Sequence, residues 1–302
     1  MNSNKQWITY ITGLSIILGG CMNPDRGNES TMAEEQRNPY ERVQNYKGQG
    51  YTLSNGEKND KIAEDKRGEV EKVVKSFFLK KYKTEVKVHN LVGNADGVTV
   101  FVESVGSVHF YSYAIVPINQ GTKKIISEDV MSQEDAVEEG IREALYRVIF
   151  NDEFQNLEDY LDGVVSDNEV TGRTIESLQN VGGTGFMTPH YTMTSYFGDE
   201  AIQPVFDLYM ENPDAKIEDL KRAFNEDLFD EEYLNINIIL FMEEEKVSPS
   251  KSILKKVSND LESMDTIPKG TYQIIVNDNG VHKETSEGYK ENSIMTELIK
   301  SK

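Results

Sequence analysis

The sequence predicts an α+β fold: an antiparallel sheet with packed helices and a helical middle region, preceded by a signal peptide and a flexible tether. Three observations predict it. Apolar residues at helical spacing begin at Val70, four runs of period-two alternation follow between Val86 and Val130, and helical stripes fill the middle until a strand pattern returns at Leu234. A helix followed by a short-turned meander implies an antiparallel sheet with that helix on one face.

Taken in order, Met22 to about Lys66 is rich in Asn, Gly, Glu, Gln and Ser with no sustained apolar period, and reads as a flexible tether. As a coil it would span roughly 35 to 40 Å. Tyr40, Tyr46 and Tyr51, around Gly48-Gln49-Gly50, form a docking segment or pack loosely on the domain. Val70, Val73, Val74, Phe77, Phe78 and Tyr82 then mark one face of an amphipathic helix, whose other face carries Lys72, Lys75, Lys80, Lys81 and Lys83. Strands are expected over Val86 to Val92, Val98 to Val105, Val108 to Ile118 and Lys123 to Val130, with Asn94-Ala95-Asp96-Gly97 and Asn119-Gln120-Gly121 as turns. His109, Tyr111 and Tyr113 share the face opposite Val108, Phe110, Ser112 and Ala114; packing against a neighbouring helix is the expected use, a ligand groove the alternative.

Ser132 and Asp135 resemble a capping box ahead of a stripe through Val137, Ile141, Ala144, Leu145 and Val148. A second helix carries Phe154, Leu157, Leu161 and Val164, and two more are expected around Val205 and Leu220. The strand Leu234 to Met242 precedes a helix opened by Ser248-Pro249, with Leu254, Val257, Leu261 and Met264 inward. Gly270 to Val276 is a further strand, joined either as a parallel crossover or as the return leg of the first sheet. The last twenty residues are polar, with one short helix expected near Ile294 to Ile299. The expected domains are 1–20, a lipoprotein signal peptide; 21–66, a lipidated cysteine and tether; and 67–302, a folded extracellular domain with sub-boundaries near 131 and 232.

The leader follows the order of a secretory signal: Lys5, an apolar run from Trp7 to Leu18, then Gly19 and Gly20. Trp7 to Gly20 rises only about 21 Å as a helix, short of the roughly 30 Å hydrocarbon thickness. Leu18-Gly19-Gly20-Cys21 resembles the lipobox of bacterial lipoproteins, which implies cleavage between Gly20 and Cys21 and a Cys21 bearing S-diacylglycerol and N-palmitoyl groups. Cys21 is the single cysteine. Two or more acyl chains hold a protein to membrane firmly where one binds only reversibly. The expected location is the cell membrane, lipid-anchored on the extracellular face.

The formal net charge of −20 opposes nonspecific nucleic-acid binding, so no nucleic-acid partner is expected. With Cys21 acylated, no thiol remains for a disulfide, a nucleophile or a thiolate metal site. His89, His109, His190 and His282 lie in unrelated sequence contexts, and the calcium-like start at Asp167 and Glu169 reaches Leu178 where a bidentate Glu is needed. No metal and no cofactor are predicted. Ser166-Asp167-Asn168 and the Ser-x-x-Lys at Ser248 to Lys251 occur in the wrong order for a penicillin-recognising enzyme. Gly182-Gly183-Thr184-Gly185 lacks the Gly-Lys-Ser/Thr of a phosphate loop. The stretch 182–196 is apolar and aromatic without period; it either covers a site, with Phe186, His190, Tyr191 and Tyr196 as the ligand contacts, or plugs the core.

Asn38-Pro39-Tyr40-Glu41, Gln44-Asn45-Tyr46-Lys47-Gly48-Gln49-Gly50-Tyr51 and Gly182-Gly183-Thr184-Gly185-Phe186, taken with the lipobox, resemble staphylococcal lipoproteins of a family of unknown function, the domain of unknown function 1672 type. The resemblance implies a Gram-positive cell surface and carries over no catalytic residue. The function expected is a noncatalytic lipoprotein that binds a ligand or protein partner of the envelope. The alternative is an envelope enzyme or chaperone with its site near 182–196; a transporter substrate-binding subunit fits the strand order less well.

Overall fold

The computed structural model describes residues 38–167, 169–196 and 198–301. Gly20, Cys21 and the leader lie outside them. Among the described residues are eight α-helices and eleven strands, an α+β fold as expected from the sequence.

The first sheet is the meander β2 (Val86–Gly93), β3 (Gly97–Ser104), β4 (Tyr111–Asn119) and β5 (Lys124–Ile125), antiparallel throughout and in chain order. Its inner face presents Val98, Val100, Val102, Ala114, Val116 and Ile118, all buried. Helix α2 (Arg67–Tyr82) covers that face with Val70, Val74, Phe78 and Tyr82, the i, i+4 positions the spacing predicts. The run to Val130 is shorter as strand than expected, because a 3-10 turn takes over at Ser127–Asp129.

The tether is corrected from Tyr40 onward. Strand β1 (Tyr40–Arg42) and helix α1 (Glu57–Asp65) belong to the fold, and Val43 and Tyr46 are buried with Val181, Phe241 and Val281. Two aromatic or branched residues in a polar segment escape a periodicity reading, yet their burial ties the segment down. Helix α1 crosses β2 so closely that a Cβ on Gly56 would lie 1.9 Å from the Gly93 carbonyl oxygen, and one on Gly93 would lie 2.2 Å from the Gly56 oxygen. The lack of a side chain at both positions permits the crossing.

Helix α3 (Ala136–Ile149) is the centre of the molecule, packed against β4 on one side and β7 (Tyr191–Ser195) on the other. Ser132 does not cap it. Its hydroxyl hydrogen-bonds that of Tyr82 at 2.8 Å, and Asp135 begins the helix in the left-handed region with φ +60°. Helix α4 (Asn151–Asp167) follows after the single residue Phe150, burying Phe154, Leu157, Leu161 and Val164 as expected. Helices α5 (Ile175–Val181), α6 (Gln203–Glu211) and α7 (Ile217–Ala223) complete the middle, with β6 (Val170–Thr171) ahead of α5.

The second sheet has the order β11 (Ile294–Lys300), β9 (Gly270–Asn277), β8 (Leu234–Met242), β6, with β7 also pairing β8. Strands β8 (Leu234–Met242) and β9 (Gly270–Asn277) are parallel and joined through α8 (Lys251–Ser263), so of the two connections left open by the sequence the crossover is the one used. Strand β10 (Gly280–His282) pairs β1. Residues Ile294–Lys300 form strand β11, antiparallel to β9, where a short helix was expected. Ile294, Leu298 and Met295, Ile299 satisfy an i, i+4 pattern, but Leu298 pairs across from Tyr272 and Ile294 from Val276, and the sheet edge overrides the local period. Among the described residues no helix is long and apolar enough to cross a membrane.

Candidate functional site

Between α3 and α4 the chain turns on Phe150, and a two-lobed cleft opens beside this joint. Asp152 and Lys221 line both lobes, so the lobes adjoin.

The aromatic lobe, about 430 Å3, is floored by Phe150, Phe224 and Phe229, with Ile267 and Pro268 from the turn before β9. Phe224 meets Phe150 edge-on at 5.1 Å, and Tyr146 stacks behind Phe150 at 6.1 Å. Tyr146 is fixed by donating its hydroxyl to buried Asp199 at 2.5 Å; burial foremost pushes that phenol upward, and Asp199 adds to it. The rim carries Asp152, Glu153 and Asp265 against Lys221 and Lys269, neither lysine of which forms an ion pair among the described residues.

The polar lobe, about 560 Å3, is walled by His109, Arg147, Glu158 and Phe186. Arg147 grips Glu158 with two bonds, Nε to Oε1 at 2.9 Å and Nη2 to Oε2 at 3.0 Å, and a third bond reaches the Asn151 side chain. Tyr191 donates its hydroxyl to the same Glu158 oxygen at 2.9 Å. Bidentate geometry fixes both side chains as a plane.

His109 is held from behind. Its Nε2 lies 2.9 Å from Glu103 Oε1, while His89 Nε2 lies 2.8 Å from Oε2 of the same carboxylate. The two histidines are thus not in unrelated contexts, which corrects the sequence reading. Lys87 and Tyr111 face Glu103 from the two neighbouring strands, and each histidine stands two residues from one of them, on the diagonal of the pleat. Burial pushes Glu103 up, but the imidazole hydrogen bonds outweigh it and hold the carboxyl below its ordinary range. Beside it, burial first and then the Glu103 charge push the Tyr111 phenol up to about 12.

Residues 182–196 act mainly as a plug. Phe186, Met187, Tyr191 and Met193 are buried, and Tyr191 to Ser195 are strand rather than loop. Two amides at the end of the Gly-rich run are taken: Gly185 N–H donates to Tyr111 O at 3.0 Å and Phe186 N–H to Glu143 Oε2 at 2.8 Å. Of the four residues singled out from sequence, Phe186 lines the polar lobe and Tyr191 supports it through Glu158. His190 points elsewhere, its Nδ1 lying 3.3 Å from Asp162, with burial depressing its pKa and Asp162 opposing that shift. Tyr196 is exposed and stacks on Tyr233 at 4.8 Å. Sequence reasoning missed Arg147, Glu158, Lys221 and Phe224, which come together only in three dimensions. No group of three or more His, Cys, Asp or Glu able to hold a metal is present among the described residues.

No curated protein matches the chain. The crystal structure of a DUF1672 family protein from Staphylococcus aureus subsp. aureus Mu50 is similar, with a TM-score of 0.71 at 17% identity, over 88% of this chain and 99% of that one. At this identity the likeness is one of fold. The family described as "Protein of unknown function (DUF1672)" matches residues 33–301. With nearly the whole described region matched, the chain belongs to the DUF1672 family.

Proposed function

We propose that the chain is a lipoprotein held by Cys21 on the outer face of a Gram-positive membrane, and that it binds a peptide segment of an envelope partner in the two-lobed cleft. The observation that carries the binding role is the aromatic lobe: three phenylalanines face a cavity whose rim offers Lys221 and Lys269, without an ion pair among the described residues, beside Asp152, Glu153 and Asp265. An aromatic floor ringed by charges of both signs suits one aromatic or aliphatic side chain flanked by groups of both signs. Arg147 and Glu158 satisfy each other, so the polar lobe supports a binding role more than a reactive one.

Titration of the purified full chain with the capped tripeptide Glu-Phe-Lys tests the cleft. Phe224→Ala and Lys221→Ala should each weaken binding about tenfold, as for loss of about 1.4 kcal/mol. Equal affinity of both variants and the parent would sink the assignment. One observation favours the enzymatic alternative, namely His109 oriented by Glu103 at the cleft wall. Cleavage of the tripeptide that disappears in His109→Gln would replace binding by catalysis. The anchor has its own test. Cys21→Ala should lose labelling by radioactive palmitate and pass into the medium, and a variant retained on the membrane would contradict the anchor.

A further inference from the structure

Strand alternation divides the second sheet into an inner face, built of Ile236, Ile238, Tyr272, Ile274 and Met193, and an outer face whose composition is different in kind. On that outer face Thr192 stands opposite Asn237, Asn237 opposite Gln273, and Gln273 opposite Glu297, one row across four strands. The next row runs Thr194, Asn235, Thr271, Ile299. Two residues further along β7 and into β8, Tyr196 and Tyr233 continue the same face as a stacked pair, with Tyr196 57% exposed. The opposite end of this face, at Phe241 and Ile239, is closed by the packed segment around Val43, Tyr46 and Tyr51.

A sheet packed on one face commonly turns polar side chains to water on the other, so polarity alone would mean nothing. The kind of polarity is what matters. Charged residues make up 28% of the chain, which would put about two among these eight positions. Glu297 alone is charged, and it stands at the sheet edge. The rest of the polar positions are amides and hydroxyls. Thr271 donates to the Glu231 carbonyl at 3.3 Å; the side chains of Thr192, Thr194, Asn235, Asn237 and Gln273 form no hydrogen bond among the described residues, and all five keep some exposure. Donors and acceptors therefore stand in a regular grid, about 4.8 Å between strands and about 6.8 Å between rows, beside an accessible aromatic surface.

We propose that this outer face binds a linear, uncharged oligosaccharide, a ligand distinct from the one proposed for the cleft. A pyranose offers one apolar face of C–H groups that stacks on an aromatic ring, and a belt of hydroxyls that both donate and accept. The Tyr196–Tyr233 pair supplies the ring, and each Asn or Gln amide supplies a donor and an acceptor on one planar group. An extended chain of β-linked sugars is a straight ribbon that can run along a row of these side chains across several strands, where a curled α-linked chain cannot. The charge of the protein works in the same direction, because a polymer bearing phosphate or carboxylate would be opposed by the net −20 and by Glu297.

The test is calorimetric titration of the purified full chain with two probes, the β-1,4-linked tetramer of glucose and that of N-acetylglucosamine, with the α-1,4-linked glucose tetramer as the curled control. At least one β-linked tetramer should bind, the α-linked one much more weakly. Tyr196→Ala and Asn237→Ala should each lower the affinity about tenfold while keeping the parent melting temperature, and Phe224→Ala in the cleft should leave it unchanged. Absence of binding by both β-linked tetramers at millimolar concentration overturns the proposal, as does binding that Tyr196→Ala and Asn237→Ala leave intact. Loss of sugar binding in Phe224→Ala would instead move the glycan to the cleft and equally overturn the sheet-face assignment.

Discussion

Gly185→Ala should be among the most damaging single substitutions in the molecule, lowering stability by roughly 2–6 kcal/mol. Gly185 has φ +124°, in the region that favours glycine, and occupying it costs a side-chain-bearing residue about 1–3 kcal/mol of strain. The second cost is steric. A Cβ there would lie 2.4 Å from Glu143 Oε2, the atom that accepts the Phe186 N–H, and Glu143 is itself buried. Moving it strands a buried amide, at about 1–3 kcal/mol. The residue is also tied to Tyr111 by two backbone bonds of 2.9 and 3.0 Å, so the loop cannot shift without breaking the bridge to β4. Since whole domains are stable by only about 5–15 kcal/mol, the variant sits near the folding threshold. Gly183→Ala is the control: it has φ +97° but open space around its Cβ, so it should suffer strain alone. Urea titration that places the two midpoints together would refute the steric account.

The Gly-rich run shows where sequence reading stopped. Gly182-Gly183-Thr184-Gly185 was legible as a loop, and packing into the core was one of its two readings, but the partner that demands glycine at 185 is a glutamate more than forty residues away in the chain. Long amphipathic elements were legible because one face of each is buried in a single core: α2 through Val70, Val74 and Phe78, and β8 through Leu234, Ile236, Ile238 and Leu240. Strands β1, β6 and β10, of two or three residues, hold too few alternations to rise above composition. Strand β11 was misread because its apolar residues serve both periods, and only pairing with β9 decides between them.

The same limit governs the sites. His89, Glu103 and His109 meet on a pleat diagonal that becomes visible once the β2–β3–β4 register is known, so a meander alignment could have found them. The register at β2 shifts between Val88 and Leu91, so no fixed spacing marks the triad. The cleft draws Arg147 from α3, Glu158 from α4, Lys221 from α7 and Phe224 from its end, and nothing local joins these four. The amide rows of the second sheet are harder still, since their meaning depends on β7, β8, β9 and β11 lying side by side.

Thermal stability should fall as pH rises from about 5 to about 9, and Glu143→Gln should remove much of that slope. Burial pushes the Glu143 carboxyl up to about 8, against the hydrogen bonds it accepts from Phe186 N–H at 2.8 Å and Ser195 N–H at 3.3 Å. Glu139 adds a further upward push. An unfolded chain releases this proton near the ordinary glutamate range, while the folded chain keeps it until about 8. Across that interval the folded state binds the additional proton, so its contribution is fully present at low pH and is lost as pH climbs through the folded pKa, by at most about 1.4 kcal/mol per unit. Glutamine keeps the shape but turns an NH2 towards one of two donor amides, so the variant starts less stable by about 1–3 kcal/mol at pH 5. It should then lose less on going to pH 9, narrowing the gap, because every other carboxylate is common to both proteins. Parallel melting profiles for the two proteins would show that Glu143 titrates normally.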